Sequence, residues 1–140
     1  MVRRGQQRRK HVERARRDLE RQLDSKHGTY RPPPRGDCFR RQWETAYDDV
    51  SAIRVQFIIW RDGGRLVDFV VNVQVLGSGG WETVERFDCC HGHCHLHPQN
   101  EELPPESIQR LDAVGDVQRA FAQVNGIAHE RARIIRDGAQ

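Results

Sequence analysis

The clearest pattern in the chain is an alternation of apolar and polar residues between positions 51 and 89. Apolar residues occupy the odd positions from 53 to 59 and from 67 to 75, with polar residues at several even positions. A period of two residues predicts strands over Ser51–Trp60 and Arg65–Leu76 that each bury one face. The run Trp81–Cys89 alternates less regularly, which predicts a third strand at a sheet edge or with a bulge.

Two short segments rich in glycine separate these runs. Arg61–Gly64 follows the first run and Gly77–Gly80 follows the second. Short turns of this composition join antiparallel neighbours. The sequence therefore predicts an antiparallel meander of three or more strands with one buried face.

Helical periodicity dominates the C-terminal part of the chain. The prolines in Leu103–Ser107 predict an interruption, after which Ser107 is suited to cap a helix. An apolar stripe at steps of three and four residues follows, formed by Ile108, Leu111, Val114, Val117, Phe121 and Val124. Asn125–Gly126 predicts a break near Gly126 before residues 128–136 resume the helix. We expect these helices to cover the apolar face of the sheet.

The N-terminal part alternates between helical and extended signals. Arg8–Ser25 has a thin apolar stripe at helical spacing, and we expect disorder before it. Three consecutive prolines in His27–Asp37 predict an extended linker. Trp43, Ala46, Tyr47 and Val50 are spaced as in a helix, which predicts a short helix in Cys38–Val50. The expected organisation is a basic helical arm with a proline-rich linker, residues 1–37, followed by a single α+β domain, residues 38–140.

The net charge of +3 conceals an asymmetry along the chain. Residues 1–41 contain 14 lysines and arginines against five acidic residues, whereas residues 42–140 contain nine against 15. A basic arm on an acidic domain indicates contact with RNA, DNA or an acidic partner, and the alternative is a solvated helix. The candidate nucleic-acid contacts are Arg8, Arg9, Lys10, Arg14, Arg16 and Arg17.

No membrane segment or secretory signal is expected. The sequence has no run of about 20 apolar residues, and no apolar stretch follows the charged N-terminus. These features predict a cytoplasmic protein whose cysteines stay reduced. Clustered cysteines in that setting indicate metal binding or catalysis before disulfides.

The candidate chemistry is concentrated in Phe87–His97, which contains three of the four cysteines and four of the seven histidines. Imidazole and thiolate are preferred zinc ligands, so one hypothesis is a zinc site formed by His91, His93, Cys94 and His95. If the segment is extended, its four histidines share one face and alternate residues lie roughly 6.6 Å apart. One ion then needs a bend at Gly92, and a helical turn after it would bring His91, Cys94 and His95 together.

A second hypothesis is acid–base catalysis by His91 and His95, oriented by Asp88. Phosphodiester transfer also needs a cation, for which Arg86 and Arg54 are candidates. A third hypothesis is a nucleophilic Cys90 or Cys94 activated by a histidine. The alternative to all three is a polar loop in which Cys89 or Cys90 is a small buried residue. We expect His11, His27 and His129 to be ordinary surface residues.

Leu66–Phe69 followed by Phe87–His95 resembles the TumE-like toxins of toxin–antitoxin systems and related prokaryotic families of unknown function. In those proteins a strand ends in aromatic-Asp-x-x-His, with a glycine and a further histidine close behind. The pattern falls on Phe87, Asp88, His91, Gly92 and His95. The paired cysteines, the extra histidines and the basic arm depart from it. The resemblance implies a toxin–antitoxin component with an antitoxin-like partner protein.

These observations predict a small protein that acts on RNA through histidine acid–base chemistry. Asp88, His91 and His95 are the expected catalytic residues, and the basic arm is the expected phosphate contact. The alternative is a non-enzymatic module that binds zinc or nucleic acid.

Overall fold

Six strands form one antiparallel sheet whose spatial order follows the chain. The computed structural model describes residues 10–15, 27–47, 52–99 and 102–138. After a short helical segment, residues 10–15 (α1), come the six strands and a long helix. Their bounds are β1 Phe39–Ala46, β2 Ile53–Asp62, β3 Arg65–Gly77, β4 Gly80–Cys90, β5 His93–His97, β6 Glu106–Arg110 and α2 Val114–Gly138. The prediction of an α+β meander covered by C-terminal helical structure is confirmed.

The core lies between one face of the sheet and α2, which packs against β2, β3 and β6. The buried stripe of α2 consists of Val117, Ala120, Val124, Ala128 and Ala132. Small side chains at three of these positions let the helix approach the valines and phenylalanines of the strands closely. We call the opposite face of the sheet the outer face.

The predicted short helix in Cys38–Val50 is wrong, because residues 39–46 form β1. This strand is at the edge of the sheet, and among the described residues it pairs with β2 alone. Nearly all its side chains are exposed, so burial imposes no clear alternation on its sequence. Trp43 is the half-buried exception and stacks on Phe57 with the ring centroids 5.1 Å apart. Residues 48–51 lie outside the described part of the chain.

The C-terminal helix begins later than the sequence predicts and is not interrupted. Ser107 lies within β6 and does not cap a helix. The helix starts at Val114, where the side chain of Asp116 accepts hydrogen bonds from the backbone N–H groups of Asp112 and Ala113. The helix continues through Gly126 to Gly138. Packing of the stripe on both sides of Gly126 explains this continuity, because tertiary contacts outweigh a single weak helix former.

The irregular third run of the sequence is β4, which pairs with β3 on one side and β5 on the other. The prediction that this strand lies at an edge of the sheet is therefore wrong. The alternative prediction of a bulge is confirmed, because the register between β3 and β4 shifts at Val73/Gln74.

Residues 27–37 run across the end of the sheet instead of standing clear of it. Gly28 N–H donates to the carbonyl of Gly92 at 2.8 Å, and Tyr30 N–H donates to that of Leu111 at 3.0 Å. The hydroxyl of Tyr30 donates to the carbonyl of Val67 at 2.7 Å. Burial, with help from the nearby carboxylate of Asp68, raises the pKa of Tyr30 to about 12. The boundary of the arm at residue 37 stays a prediction.

Only part of the basic arm is described. Lys10 and Arg14 are exposed in α1, whereas Arg8, Arg9, Arg16 and Arg17 lie outside the described residues. Across the portion of the chain that the structure covers, no helix combines the length and apolar character needed to cross a membrane.

Candidate functional site

The Phe87–His97 segment folds as a tight hairpin between β4 and β5. His91 and Gly92 form its two-residue turn with φ values of 54° and 70°. Two consecutive positive φ values are typical of a type I′ turn, which glycine accommodates without strain. The chain therefore bends at Gly92, as the sequence indicates. It continues as strand β5 and not as a helical turn.

The hairpin sends its imidazoles and its inner thiols to opposite sides of the sheet. His93, His95 and His97 alternate on the outer face, whereas Cys94 and Leu96 point into the core. The proposed zinc set is therefore divided, because Cys94 lies across the sheet from the histidines. Within residues 10–15, 27–47, 52–99 and 102–138, no three or more Cys, His, Asp or Glu residues are placed to hold a metal ion.

Five histidines meet at the outer face, and we call them the imidazole cluster: His27, His91, His93, His95 and His97. His93 and His95 are closest, with ring centroids 4.9 Å apart, and His97 is 6.2 Å from His95. His27 comes from a distant part of the chain. Its ring lies 5.9 Å from His91, 6.4 Å from His93 and 6.3 Å from His95.

The prediction that His27 is an ordinary surface residue is therefore wrong. Its position results from docking of the adjacent Gly28 on Gly92 and not from any local pattern. The only sequence signal is the His-Gly dipeptide itself, which is too common to identify a site.

Asp88 connects the cluster to a cation. One carboxylate oxygen lies 3.1 Å from Nε2 of His97, and the other accepts a hydrogen bond from Nε of Arg86 at 3.1 Å. The side chains of Asp88 and His97 are each 19% exposed. The structure thus brings Asp88 together with His97 and Arg86. His95 lies directly across the strand ladder from Asp88, while the exposed His91 is in the turn.

Burial lowers the pKa of His95, and the neighbouring His93 lowers it further. Asp88 acts in the opposite direction but is a smaller influence. His95 is consequently neutral at neutral pH, which leaves one ring nitrogen able to accept a proton. His93 is buried and hydrogen-bonds to the hydroxyl of Ser107 through Nε2.

A second carboxylate, Asp68, lies on the outer face beside the cluster. It is 3% exposed and accepts a hydrogen bond from Arg35 at 2.8 Å. Burial raises the pKa of Asp68 despite this contact. The guanidinium of Arg35 also stacks over Trp60 at 4.0 Å from the ring centroid. The other candidate cation, Arg54, contacts Gln74 and Trp81 further along the face.

The exposed thiol of Cys90 lies opposite His93 in the ladder. Partial burial and the carboxylates of Asp88 and Asp68 raise its pKa. These influences disfavour the thiolate, which is the nucleophilic form. The electrostatics around Cys90 therefore favour imidazole over thiolate chemistry at this site.

Comparison with known proteins identifies the family but not an activity. Neither the curated proteins nor the solved structures contain a match to the chain. A family model described as a domain of unknown function matches residues 38–131, from just before β1 into α2. The chain therefore belongs to the DUF7718 family.

Proposed function

We propose that this protein is a toxin-like component that cleaves RNA by acid–base chemistry at the outer face of the β4–β5 hairpin. The observation that carries the proposal is the meeting of a neutral imidazole, His95, with the Asp88–His97 pair. Neutral and carboxylate-oriented imidazoles are the groups that general base and general acid catalysis require. A cytoplasmic location and an antitoxin-like partner that covers the cluster belong to the same proposal.

His95 is assigned as the base and His97 as the acid. His95 takes the proton of a ribose 2′-hydroxyl, whose oxygen attacks the adjacent phosphorus. His97, held by Asp88, gives a proton to the leaving 5′-oxygen, so the products are a cyclic phosphate and a free hydroxyl. The rings are 6.2 Å apart, which leaves room for a phosphate between them. Arg86 is next to Asp88 and supplies positive charge to the transition state.

His91 was the second imidazole favoured by sequence, but His97 suits that role better. A carboxylate fixes the orientation of His97, whereas His91 is in the turn and stacks on His27. An imidazole held by a carboxylate keeps one tautomer and one direction for proton transfer.

The basic arm and linker predicted from the sequence support an RNA substrate. His27 belongs to this part of the chain, and its ring lies 6.4 Å from His93 and 6.3 Å from His95 in the cluster. Residues 1–41 contain 14 lysines and arginines against five acidic residues. We expect these cations to hold phosphates of the strand whose scissile bond lies over the cluster.

Cleavage of a single-stranded RNA oligonucleotide by the purified protein tests the proposal. We expect His95→Gln and His97→Gln each to slow cleavage by about 100-fold or more. His11→Gln is the control, because His11 is exposed in α1 and lies outside the cluster. Growth arrest on expression should follow the same order. Equal cleavage and arrest by the wild-type protein and both cluster variants would contradict the proposal. RNA binding without cleavage would indicate the non-enzymatic nucleic-acid module.

A non-enzymatic zinc module is the second candidate. The observation that favours it is the convergence of His27 from one segment with His93 and His95 from another. Imidazole is a preferred zinc ligand, although these rings would have to rotate to share an ion. Metal analysis after dialysis should then find about one zinc per chain, and a chelator should lower thermal stability. A metal-free protein that is indifferent to chelator would exclude this candidate.

A further inference from the structure

Cys89 on β4 and Cys94 on β5 are direct partners in the antiparallel ladder. The pair that flanks the His91–Gly92 turn is Cys90 and His93, and the two cysteines form the next pair. In a hairpin with a two-residue turn, the flanking pair exchanges hydrogen bonds and the next pair does not. Cys89 and Cys94 therefore occupy a non-hydrogen-bonded position, where opposing side chains approach most closely.

The two thiols meet on the core side of the hairpin. Cys94 is fully buried in the core, and the half-buried Cys89 packs against the same core. The Cα atoms of a non-hydrogen-bonded pair lie about 4.5 Å apart. Disulfides span Cα separations of about 4.4–6.8 Å. The two strands can therefore accept a disulfide here without changing their register.

Both cysteines are free thiols in the structure. The hydrogen bond with Cys94 and burial raise the pKa of Cys89. Since the thiolate is the reactive form, the dithiol reacts slowly at neutral pH and faster in alkali. Cys90 offers an internal comparison: it lies on the outer face, is exposed, and has a histidine opposite.

We propose that Cys89 and Cys94 form a site of reversible thiol–disulfide exchange with low-molecular-weight disulfides such as glutathione disulfide. The half-buried Cys89 loses its proton and its sulfur attacks the oxidant, which releases one thiol. The sulfur of Cys94 then attacks that of Cys89, breaks the mixed disulfide and releases the second thiol. Each departing thiolate takes up one of the protons lost by the cysteines. Two protein thiols are thus oxidised to one disulfide, and one external disulfide is reduced to two thiols.

The new bond would join β4 to β5 directly beneath the imidazole cluster. Asp88 and His95, the next pair along the ladder, are on the opposite face of the same strands. A disulfide at this position restrains the turn that carries His91 and contacts Gly28. The proposal does not depend on RNA cleavage, because the geometry of the two thiols is independent of the imidazoles.

Oxidation of the full chain with glutathione disulfide at pH 8.5 tests the proposal. After alkylation of free thiols and digestion, mass spectrometry should find the Cys89 and Cys94 peptides linked, with two hydrogen atoms lost. The Tm should rise by about 5 °C and return to its original value with dithiothreitol. Oxidation should be slower at pH 7 than at pH 8.5.

Two variants assign the linkage. Cys90→Ser should oxidise as the wild-type protein does, and Cys89→Ala should lose both the linkage and the Tm rise. The wild-type linkage map is decisive even if a variant folds poorly. Absence of a Cys89–Cys94 linkage, or a dominant linkage through Cys90 or Cys38, would overturn the proposal.

Discussion

Gly28 and Gly92 touch backbone to backbone at a point where neither can carry a side chain. Gly28 N–H donates to the carbonyl of Gly92 at 2.8 Å, and the same carbonyl accepts from Leu111 N–H at 2.8 Å. A Cβ on Gly28 would lie 1.9 Å from the carbonyl oxygen of Leu111, and one on Gly92 would lie 2.1 Å from that of Gly28. One carbonyl thus joins three segments of the chain and places His27 in the imidazole cluster.

Gly28→Ala should therefore destabilise the protein, because the added methyl group meets rigid backbone. We expect a loss of about 1–3 kcal/mol in the free energy of unfolding, measured by urea denaturation. Gly36→Ala is the matched control, since a Cβ there meets nothing within 4 Å. Its effect should stay within about 0.5 kcal/mol. Equal stability of the two variants would show that the contact is not formed in solution.

Gly126→Ala should have the opposite sign. Gly126 lies inside α2, and a Cβ there meets nothing within 4 Å. Alanine in a helix interior is more favourable than glycine by about 0.5–1 kcal/mol. The Tm of the variant should rise accordingly. Gly64→Ala is a useful contrast, because that site is equally open but has a φ of 79°, and strain should lower the Tm. A lower Tm for Gly126→Ala would argue against a continuous helix.

The strands that could be predicted are those that bury one face. β2 and β3 alternate between core and outer face, and this burial is what makes their sequence periodic. β1 could not be predicted in the same way. All its side chains except that of Trp43 are exposed, so burial gives β1 no alternation, and the spacing of Trp43, Ala46, Tyr47 and Val50 coincides with that of a helix.

The start of α2 was misplaced for a different reason. Ser107 comes shortly after two prolines and has a hydroxyl suited to capping a helix. In the structure it instead lies in β6, which pairs with β5. Non-local pairing of this kind has no local signature. The carboxylate of Asp116, in the first turn of α2, accepts hydrogen bonds from the backbone N–H groups of Asp112 and Ala113. The sequence therefore predicts the helix itself but starts it too early, at Ser107 instead of Val114.

The site was predicted in its location but not in its connections. The density of cysteine and histidine in Phe87–His97 indicated chemistry, and Asp88 does contact an imidazole. The imidazole that Asp88 contacts is that of His97. Asp88 is directly opposite His95 in the ladder, so His97 lies on the diagonal, within reach of its carboxylate. The sequence could not place His27 in the cluster, because its position depends on the contact between Gly28 and Gly92, which are 64 residues apart in the chain.

Breaking the ion pair between Glu85 and Arg131 should weaken the packing of α2 on the sheet. Glu85 is 2% exposed, and Arg131 binds both its carboxylate oxygens. Arg131→Met leaves the carboxylate buried without a partner, so we expect a loss of about 3–5 kcal/mol in the free energy of unfolding. Replacing both residues, Glu85→Leu with Arg131→Met, should recover much of that loss, because no isolated charge remains.

Arg119→Met is the control. Arg119 also forms an ion pair, with Asp116, but its side chain is 73% exposed. An exposed pair of this kind contributes at most about 1 kcal/mol. Chemical denaturation of the wild-type protein, the single variants Glu85→Leu and Arg131→Met, and the double variant gives the coupling energy between Glu85 and Arg131. A double variant as unstable as Arg131→Met alone would rule out the ion pair as the source of the loss.

The titration of His95 should make the protein less stable in mild acid. Because burial and His93 lower its pKa, the folded state binds a proton at His95 less readily than the unfolded chain. The unfolded imidazole titrates near pH 6.5. As pH falls below about 6.5, the unfolded state gains protons that the folded state does not, and stability decreases. The loss is complete once pH passes the folded pKa, and it is absent well above pH 7.

The His95→Gln variant removes this contribution, so its stability should fall less than that of the wild-type protein between pH 7.5 and pH 5.5. The pKa of His95 can also be measured directly by proton NMR of its imidazole. Two variants should shift this pKa in opposite directions. His93→Gln should raise the pKa of His95, because the influence of His93 that disfavours the charged form of His95 is lost, whereas Asp88→Asn should lower it, because the attraction of that carboxylate is lost. A His95 that titrates alike in both variants would mean that His93 and Asp88 do not face it, and the assignment of His95 as the neutral base would fail.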